Sequence, residues 1–277
     1  PGVSLKQEGI SYIAAAELPC LILNVMRGGP GLGTIQPSQA DYFQSVKGGG
    51  HGDYHMIVLA PSTVQEMADF VALGFELAFK YRMACCILSD GAIGQMMEKV
   101  VLPEQKPRLT EEEIKANYPW ATTGRKRGTQ HRVITSLDLD SVKMEAHNRH
   151  LQEKYRLVEE NEVRFEEIEC EDAEYVFVAY GSSARIAQKS VQLARAEGLK
   201  VGLLRPITLF PFPSKAIQNL IDRGAKGFLA VELSCGQMIE DVKLAVNGRV
   251  KAEHFGRVGG IIHTPEEVLE AMKKQII

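Results

Sequence analysis

The sequence lacks the features that mark membrane, secreted and nucleic-acid-binding proteins. No apolar run reaches the length of about 18 residues that a membrane-spanning helix needs, so no membrane span is predicted. The sequence shows no basic segment followed by an apolar stretch at its start, so no signal peptide is predicted. Lys and Arg number 32 against 35 Asp and Glu, and this balance predicts no basic surface for nucleic acid.

The cysteines show no metal-binding spacing. They are Cys20, Cys85, Cys86, Cys170 and Cys235, and no pair has the form Cys-x-x-Cys. Neither a zinc site nor an iron–sulfur cluster can therefore be built from this chain alone. An odd number of cysteines, most of them in apolar runs, predicts buried free thiols and a reducing, cytoplasmic location.

The glycine-rich stretch after residue 26 lacks both common nucleotide-binding patterns. Gly31-x-Gly33 begins like a dinucleotide-binding turn, but Gln36 stands where the third glycine belongs and Pro37 prevents a helix there. No acidic residue follows at the ribose-binding position, and no Gly-Lys-Ser or Gly-Lys-Thr follows the glycines. We therefore predict no nicotinamide or ATP site in this stretch.

A magnesium–diphosphate motif is also incomplete. That motif pairs Gly-Asp-Gly with two adjacent asparagines downstream, whereas Ser89 replaces its first glycine here and Tyr118 follows the single candidate, Asn117. Asp90 is predicted instead to cap a helix that begins near Ala92. This chain is therefore not predicted to bind the metal that a diphosphate needs.

Two other catalytic patterns are weak or missing. His51, Asp53 and His55 lie close together in a glycine-rich stretch, and a metal site there is conceivable. Their spacing matches no standard cluster, so a mobile surface loop is the favoured interpretation. No Gly-x-Ser-x-Gly sequence is present to anchor acyl hydrolysis.

What the chain does contain is a regular alternation of apolar runs and helical patterns. Strands are predicted at 20–26, 55–61, 83–89, 175–181, 200–206 and 226–232. Continuous apolar runs separated by helices are typical of parallel strands that helices cover on both faces. The sequence therefore predicts an α/β protein with two doubly wound, mostly parallel-sheet domains.

Helix boundaries follow ordinary capping signals. Ser62 predicts the start of the helix after strand 55–61, and Ser182 the start of one that Gly198 ends. Pro265, followed by two glutamates, predicts the start of the last helix.

A charged segment separates the two alternating blocks. It begins as a polar connection with prolines and glycines and continues as a long helix with apolar residues at helical spacing, namely Met144, His147, Leu151, Tyr155 and Val158. We therefore predict three parts, which are residues 1–102, the charged connecting segment 103–172 and residues 173–277.

The glycine-rich stretch occupies a position where open α/β sheets bind ligands, because it leaves the carboxyl end of predicted strand 20–26. Its glycines allow close backbone approach to a ligand, and Arg27 offers a planar fork suited to a carboxylate. On the residues alone, a simple turn with a solvated arginine explains the stretch equally well. Arg205 is predicted to form an ion pair, and Glu232 to lie at a strand end.

Several long stretches resemble one known family. They are "RGGPGLGTIQPSQAD", "ILSDGAIGQMMEKVVLP", "LLRPITLFPFP" and "VELSCGQMIEDVKLAVNGRV". Together they resemble the alpha subunit of 2-oxoacid:ferredoxin oxidoreductases, most closely the branched-chain (3-methyl-2-oxobutanoate) type. The resemblance covers nearly the whole chain and is weakest in the charged connecting segment.

The resemblance implies an enzyme that uses thiamine diphosphate to decarboxylate a 2-oxoacid, with electrons passing through iron–sulfur clusters to ferredoxin and release of an acyl-CoA. It implies that residues 1–102 are the C-terminal part of a thiamine-pyrimidine domain and residues 173–277 a transketolase C-terminal-like domain. A beta subunit would carry the diphosphate–magnesium motif and a cluster, and gamma and ferredoxin-like subunits would complete the complex. Two alternative functions stay open: the same reaction with 2-oxoglutarate or pyruvate as the substrate, and a non-catalytic role in assembly of the complex.

The resemblance also assigns site residues. Arg27 would bind the substrate carboxylate, and the pocket would further involve Gly28, Gly29 and Gly31, with Thr34 and Gln36 as weaker candidates. The family's Tyr-Pro-Ile-Thr-Pro loop and its activating glutamate would precede Pro1, so we expect a chain that lacks the N-terminal part of the first domain. No catalytic residue, cofactor-binding residue or metal ligand is predicted within it.

Overall fold

Two β-sheets carry the strands of this chain in a computed structural model that describes residues 2–124 and 131–277. The first elements are α1 (Gly2–Leu5), α2 (Gln7–Ala15), β1 (Cys20–Met26), α3 (Tyr42–Val46), β2 (Ile57–Leu59), α4 (Val64–Tyr81), β3 (Ala84–Asp90), α5 (Gly91–Gln95), α6 (Glu111–Asn117) and α7 (Ser141–Asn161). They are followed by β4 (Phe165–Ile168), β5 (Tyr175–Ala179), α8 (Gly181–Ala196), β6 (Val201–Pro206), β7 (Thr208–Phe210), α9 (Ser214–Asp222), β8 (Gly227–Glu232), α10 (Met238–Val246), β9 (Lys251–Gly256) and α11 (Pro265–Gln275). None of the described helices is both long and apolar enough to cross a membrane.

The first sheet is built mainly from parallel strands. Its order is β1-β3-β2-β7, and β3 pairs in parallel with both β1 and β2. β7 joins the sheet antiparallel to β2, with Thr208 opposite Leu59. A strand from the second half of the chain thus borders a sheet made from the first half.

The second sheet has the order β4-β6-β5-β8-β9. Its neighbours pair in parallel except for β4, which runs antiparallel to β6 with Phe165 opposite Pro206. β4 lies within the predicted connecting segment, yet it forms an edge of this sheet. The predicted α/β class with two mostly parallel sheets is confirmed.

The predicted strands are all present, as β1, β2, β3, β5, β6 and β8. The sequence does not predict β4, β7 or β9. β4 reads Phe-Glu-Glu-Ile and β9 reads Lys-Ala-Glu-His-Phe-Gly, so neither edge strand shows the apolar run used to recognise the others. β7 has 3 residues, which is too short for a periodic pattern.

The start of α4 needs a small correction. Thr63, not Ser62, is the N-cap, because its side chain accepts the Glu66 N–H. Ser62 instead donates its backbone N–H to the Glu66 carboxylate at 2.7 Å. The predicted helix starts at Asp90 and Pro265 are confirmed.

The long helix predicted in the connecting segment is α7. Its apolar stripe packs on the core through Leu151, Tyr155 and Val158. Residues 125–130 of the same segment lie outside the described residues. The division of the chain at residues 102 and 173 stays a prediction, since the chain crosses between the sheets in both directions through β4 and β7.

One buried core joins the two sheets. It includes Ile87 of β3, Val178 of β5 and Phe228 of β8. Tyr42 and Tyr180 lie fully buried in the same core, with ring centroids 6.0 Å apart. A separate cluster packs α8 and α11 against the second sheet.

Candidate functional site

Residues 27–37 form a closed loop at the carboxyl end of β1. The Gly28 N–H donates to the Gln36 carbonyl at 2.9 Å, and the Thr34 N–H donates to the Gly28 carbonyl at 2.8 Å. Gly33 has a φ of +52°, and a Cβ there would lie 1.9 Å from the Gly28 carbonyl oxygen. The loop is therefore a defined structure that requires glycine at this point.

Arg27 stabilises the loop with one part of its guanidinium group. Its Nη1 donates to the carbonyls of Leu32 and Thr34, the latter at 2.9 Å. Within the described part of the chain, Nε and Nη2 have no hydrogen-bond partner. Arg27 is half-buried, so it is a positioned cation with free donors rather than a freely solvated side chain.

A cavity of about 1080 Å³ lies beside this loop. Its walls are α1 with Lys6, the outer strand β1, the loop that follows β1, residues 38–44, the turn after β8 and residues 258–259. The lining residues are Gly2, Val3, Ser4, Lys6, Leu23, Asn24, Val25, Arg27, Gly28, Gly29, Pro30, Gly31, Ser38, Ala40, Asp41, Gln44, Leu233, Ser234, Cys235, Gln237, Val258 and Gly259. The cavity combines apolar surface with polar and charged side chains, among them Arg27, Lys6 and Asp41.

The cavity brings together four of the predicted site residues, namely Arg27, Gly28, Gly29 and Gly31. Thr34 and Gln36 do not belong to its lining. They pack on the turn before α11, where a Cβ on Gly260 would lie 2.2 Å from the Gln36 Cβ and 3.3 Å from the Thr34 Cγ2. These two residues therefore lie between the loop 27–37 and the turn at Gly260, outside the cavity lining.

Gln39 connects the cavity wall to both sheets, and sequence analysis did not identify it. Its side chain is fully buried. Its Nε2 donates to the Tyr180 carbonyl at 2.9 Å and to Asp90 Oδ2 at 3.5 Å. Its Oε1 accepts from Ser183 Oγ and from the Leu233 N–H, each at 2.9 Å. One amide thus links the carboxyl ends of β3, β5 and β8.

Asp90 caps two helices, of which α5 follows a strand of the first sheet and α8 follows a strand of the second. Its Oδ1 accepts the N–H groups of Ala92 and Ile93 at the start of α5. Its Oδ2 accepts the Ser182 N–H of α8 at 2.9 Å. This explains why α8 begins at Gly181 without the serine cap predicted for it, because the acceptor comes from β3 instead.

The turn of residues 233–237 forms another part of the cavity wall. Glu232, at the end of β8, is fully buried and accepts hydrogen bonds from this turn and from the start of α10. Gln237 fastens the turn to the other wall, since its amide donates to the Ala40 carbonyl and accepts the Phe43 N–H, each at 2.8 Å. The prediction that Glu232 lies at a strand end is confirmed.

A second buried contact holds α3 against α10. Tyr42 donates its hydroxyl to Asp241 Oδ2 at 2.6 Å, and Lys47 pairs with the same carboxylate. Burial, together with the nearby Asp241 charge, raises the pKa of the Tyr42 hydroxyl well above its usual value. Tyr42 is therefore a neutral hydrogen-bond donor in this core.

No metal site is formed by the residues that the structure describes, since no group of three or more His, Cys, Asp or Glu side chains could hold an ion. His55 stacks on Phe210, with ring centroids 4.3 Å apart, and burial lowers its pKa. All 5 cysteines are free, with Cys85, Cys86 and Cys170 buried as predicted. Cys235 differs from the prediction, because it is exposed at the cavity wall.

Two family descriptions match the chain. Residues 1–169 match "Pyruvate flavodoxin/ferredoxin oxidoreductase, thiamine diP-bdg". Residues 173–268 match "Pyruvate:ferredoxin oxidoreductase core domain II".

Two named relatives match almost the entire chain. The "Ketoisovalerate oxidoreductase subunit VorB" of Methanothermobacter thermautotrophicus is 52% identical over 99% of this chain and 76% of its own length. The "2-oxoglutarate synthase subunit KorA" of Methanocaldococcus jannaschii is 35% identical over 98% of this chain and 78% of its own length.

The fold matches a solved structure over the whole chain. The 2-oxoglutarate:ferredoxin oxidoreductase from Magnetococcus marinus, solved with 2-oxoglutarate, coenzyme A and succinyl-CoA bound, gives a TM-score of 0.80 at 25% identity. This chain corresponds to 52% of the length of that one.

Proposed function

Because this chain belongs to the 2-oxoacid:ferredoxin oxidoreductase family, as an alpha-type subunit, we propose that its cavity is the substrate side of a shared active site. The reaction is the oxidative decarboxylation of a branched-chain 2-oxoacid to an acyl-CoA, with the electrons passed to ferredoxin. The observation that carries this proposal is the cavity itself, in which Arg27 is fixed by its own loop and keeps free donors.

Arg27 binds the carboxylate of the 2-oxoacid. Its Nη1 is held by the loop carbonyls, so the guanidinium plane is fixed before substrate arrives, and Nε and Nη2 supply charge-assisted hydrogen bonds. Gly28, Gly29 and Gly31 keep this wall free of side chains, so that the substrate can approach the backbone. Thr34 and Gln36 act only by supporting the loop.

The described residues fit the substrate half of a thiamine site and not its metal half. They include no cluster that could hold magnesium, and the cavity lining has a single carboxylate, Asp41, to which Asn24 Nδ2 donates at 3.1 Å. We therefore assign the diphosphate, magnesium and an iron–sulfur cluster to a beta subunit. Thiamine diphosphate, when bound, supplies the electron sink that decarboxylation requires.

The complex is proposed to include gamma and ferredoxin-like subunits and to act with ferredoxin and coenzyme A in the cytoplasm. The free thiols of all 5 cysteines support this location. Assembling the chain with its partner subunits and measuring 2-oxoacid- and coenzyme A-dependent reduction of a viologen dye tests the proposal. A stable complex with no activity on any 2-oxoacid would instead support a non-catalytic assembly role.

The lining of the cavity favours an aliphatic side chain on the substrate. Leu23, Val25 and Val258 contribute apolar surface to the same cavity as Arg27. The higher identity to the ketoisovalerate relative, 52% against 35% for the 2-oxoglutarate relative, supports the same choice. Pyruvate would leave most of this apolar surface uncovered.

One lining residue keeps 2-oxoglutarate as the second candidate, because Lys6 supplies a cation that a second carboxylate could pair with. Lys6→Met in the assembled complex separates the two substrates. With a branched-chain 2-oxoacid we expect a KM within about twofold of wild type, since an uncharged side chain gains nothing from the ammonium group. A tenfold or larger rise in the KM for 2-oxoglutarate, together with higher wild-type activity on that acid, would favour the dicarboxylate.

Arg27→Ala is expected to raise the KM for the 2-oxoacid about 10- to 100-fold, because the carboxylate loses hydrogen bonds from a charged partner. The KM for coenzyme A is expected to stay within about twofold, since no contact to it is assigned to Arg27. Steady-state kinetics with each substrate varied in turn measures both. Arg156→Ala, at an exposed position on α7, is the matched control.

The two KM values distinguish substrate binding from damage to the loop. Arg27 also donates to Leu32 and Thr34, so its loss could disturb the whole wall. A parallel rise in both KM values would indicate such a disturbance. An unchanged KM for the 2-oxoacid would remove Arg27 from the substrate site.

A further inference from the structure

The part of the cavity wall that the turn 233–237 forms depends on one buried carboxylate, that of Glu232. Glu232 is fully buried at the end of β8, and its Oε2 accepts Ser234 Oγ at 2.7 Å and the N–H groups of Gln237 and Met238 at 3.0 Å. Its Oε1 accepts the Ile239 N–H at 3.1 Å. Every donor belongs either to the turn 233–237 or to the first turn of α10.

These hydrogen bonds determine where the turn lies. Ser234, held by Glu232, accepts the Gly236 N–H at 3.0 Å and so shapes the turn around Cys235. Leu233 and Gln237 then attach the same turn to the segment that carries Gln39. Four members of the turn line the cavity, namely Leu233, Ser234, Cys235 and Gln237.

We propose that Glu232 is a positioning residue for substrate binding: its carboxylate fixes the turn 233–237 as the wall that the 2-oxoacid meets. Glu232 itself is not part of the lining, so it acts through the turn and touches no substrate. This inference rests on the proposed function for its kinetic consequence only. The position of the wall is a property of the chain alone.

Glu232→Gln is the decisive variant, because it keeps the size of the side chain and removes one acceptor. In either orientation of the amide, at least one backbone N–H of the Glu232 set loses its partner. Glu240→Gln is the matched control, since it makes the same change of charge at an exposed position on α10.

Cys235 reports the position of the wall without any need for activity. It is the exposed thiol, whereas burial raises the pKa of Cys86 to about 12 and that of Cys170 to about 11 and keeps both unreactive. In Glu232→Gln we expect the rate of the iodoacetamide reaction of Cys235 to change about 3- to 10-fold in either direction, because the turn that surrounds this thiol moves. The buried thiols are expected to react as in wild type, which excludes general unfolding.

The kinetic consequence is measured in the assembled complex. We expect the KM for the 2-oxoacid to rise about 10-fold in Glu232→Gln, with kcat changed less, because a displaced wall weakens binding. A changed alkylation rate of Cys235 combined with this rise supports the proposal. An alkylation rate equal to that of Glu240→Gln overturns it, and so does a changed rate with an unchanged KM.

Two further measurements keep the test decisive. If the wild-type complex shows no 2-oxoacid activity, the proposed function fails, and the alkylation result still decides whether Glu232 positions the wall. If Glu232→Gln does not fold, Ser234→Ala takes its place, because it removes only the contacts of the Ser234 hydroxyl. A similar change in the alkylation rate of Cys235 supports the proposal, and an unchanged rate contradicts it.

Discussion

Gln39→Leu is expected to lower the free energy of unfolding by about 3–5 kcal/mol, because a buried leucine leaves two hydrogen-bonding groups without a partner. Those groups are the Ser183 hydroxyl and the Leu233 N–H. Each was removed from water by burial in the native structure, and each loses its compensating bond. Urea denaturation followed by circular dichroism measures the change.

The position of Gln39 makes this loss larger than that of an ordinary glutamine substitution. Gln188→Leu, at an exposed site on α8, is the control and is expected to change stability by less than about 0.5 kcal/mol. The Gln39 variant is also expected to lose affinity for the 2-oxoacid, since residues 38–41 are part of the cavity wall. A loss of stability below about 1 kcal/mol would mean that water replaces the amide and that Gln39 does not join the sheets.

Arg205→Met is expected to destabilise the protein by about 3–5 kcal/mol near neutral pH, because it leaves a half-buried carboxylate without its cation. Arg205 is itself buried and donates to Glu66 through Nη1 and Nη2, at 3.0 and 2.7 Å, and to Glu166 through Nε at 2.7 Å. Arg249→Met, which removes an exposed pair with Asp222, is the control and is expected to cost less than about 1 kcal/mol.

The pH dependence of this loss identifies Glu66 as its source. Burial raises the pKa of Glu66, but hydrogen bonds from Arg205 and Ser62 outweigh it, so the net pKa lies below 4.5. In wild type this carboxylate therefore stabilises the fold above pH 4.5, and the contribution is lost as the pH falls through the lower folded value.

Arg205 supplies the largest contribution that lowers the pKa of Glu66, so its loss is expected to raise this pKa. The destabilisation is then expected to be greatest at pH 7 and to shrink as the pH approaches 4, because protonation relieves the unpaired charge. Unfolding free energies of the variant and wild type at both pH values test this. An equal loss at pH 7 and pH 4 would contradict an electrostatic origin.

Sequence patterns predict the strands that are apolar runs, including the edge strand β1, and miss the other three edge strands, β4, β7 and β9. β1 is bounded as its apolar run predicts, and β3 differs by one residue at each end, because an uninterrupted apolar run has few other ways to be buried. β4 and β7 depend on partners distant in the chain, and their few residues show no periodicity of their own.

The candidate site divides in the same way. Arg27 and the glycines that follow it can be recognised as a candidate binding loop from the sequence, because they lie together directly after a predicted strand. Gln39 forms hydrogen bonds with Tyr180, Ser183 and Leu233, which lie 141 to 194 positions later in the sequence. No local pattern therefore indicates that Gln39 is buried. The resemblance singled out the stretch that contains Gln39 without giving the residue a role.

The exchange of edge strands makes the two family regions mechanically interdependent. β4 lies within residues 1–169 but completes the second sheet, and β7 lies within residues 173–268 but completes the first. A gene split between them would encode two pieces that each lack one strand and expose the unpaired backbone of β2 or β6. During synthesis, the first sheet can be completed only after Thr208, the partner of Leu59 in β7, has been made. The delay between the two residues is roughly 7–30 s at ordinary synthesis rates. The boundary between the two family regions, near residue 170, is therefore not a site at which we expect the chain to be cut into two pieces that fold independently.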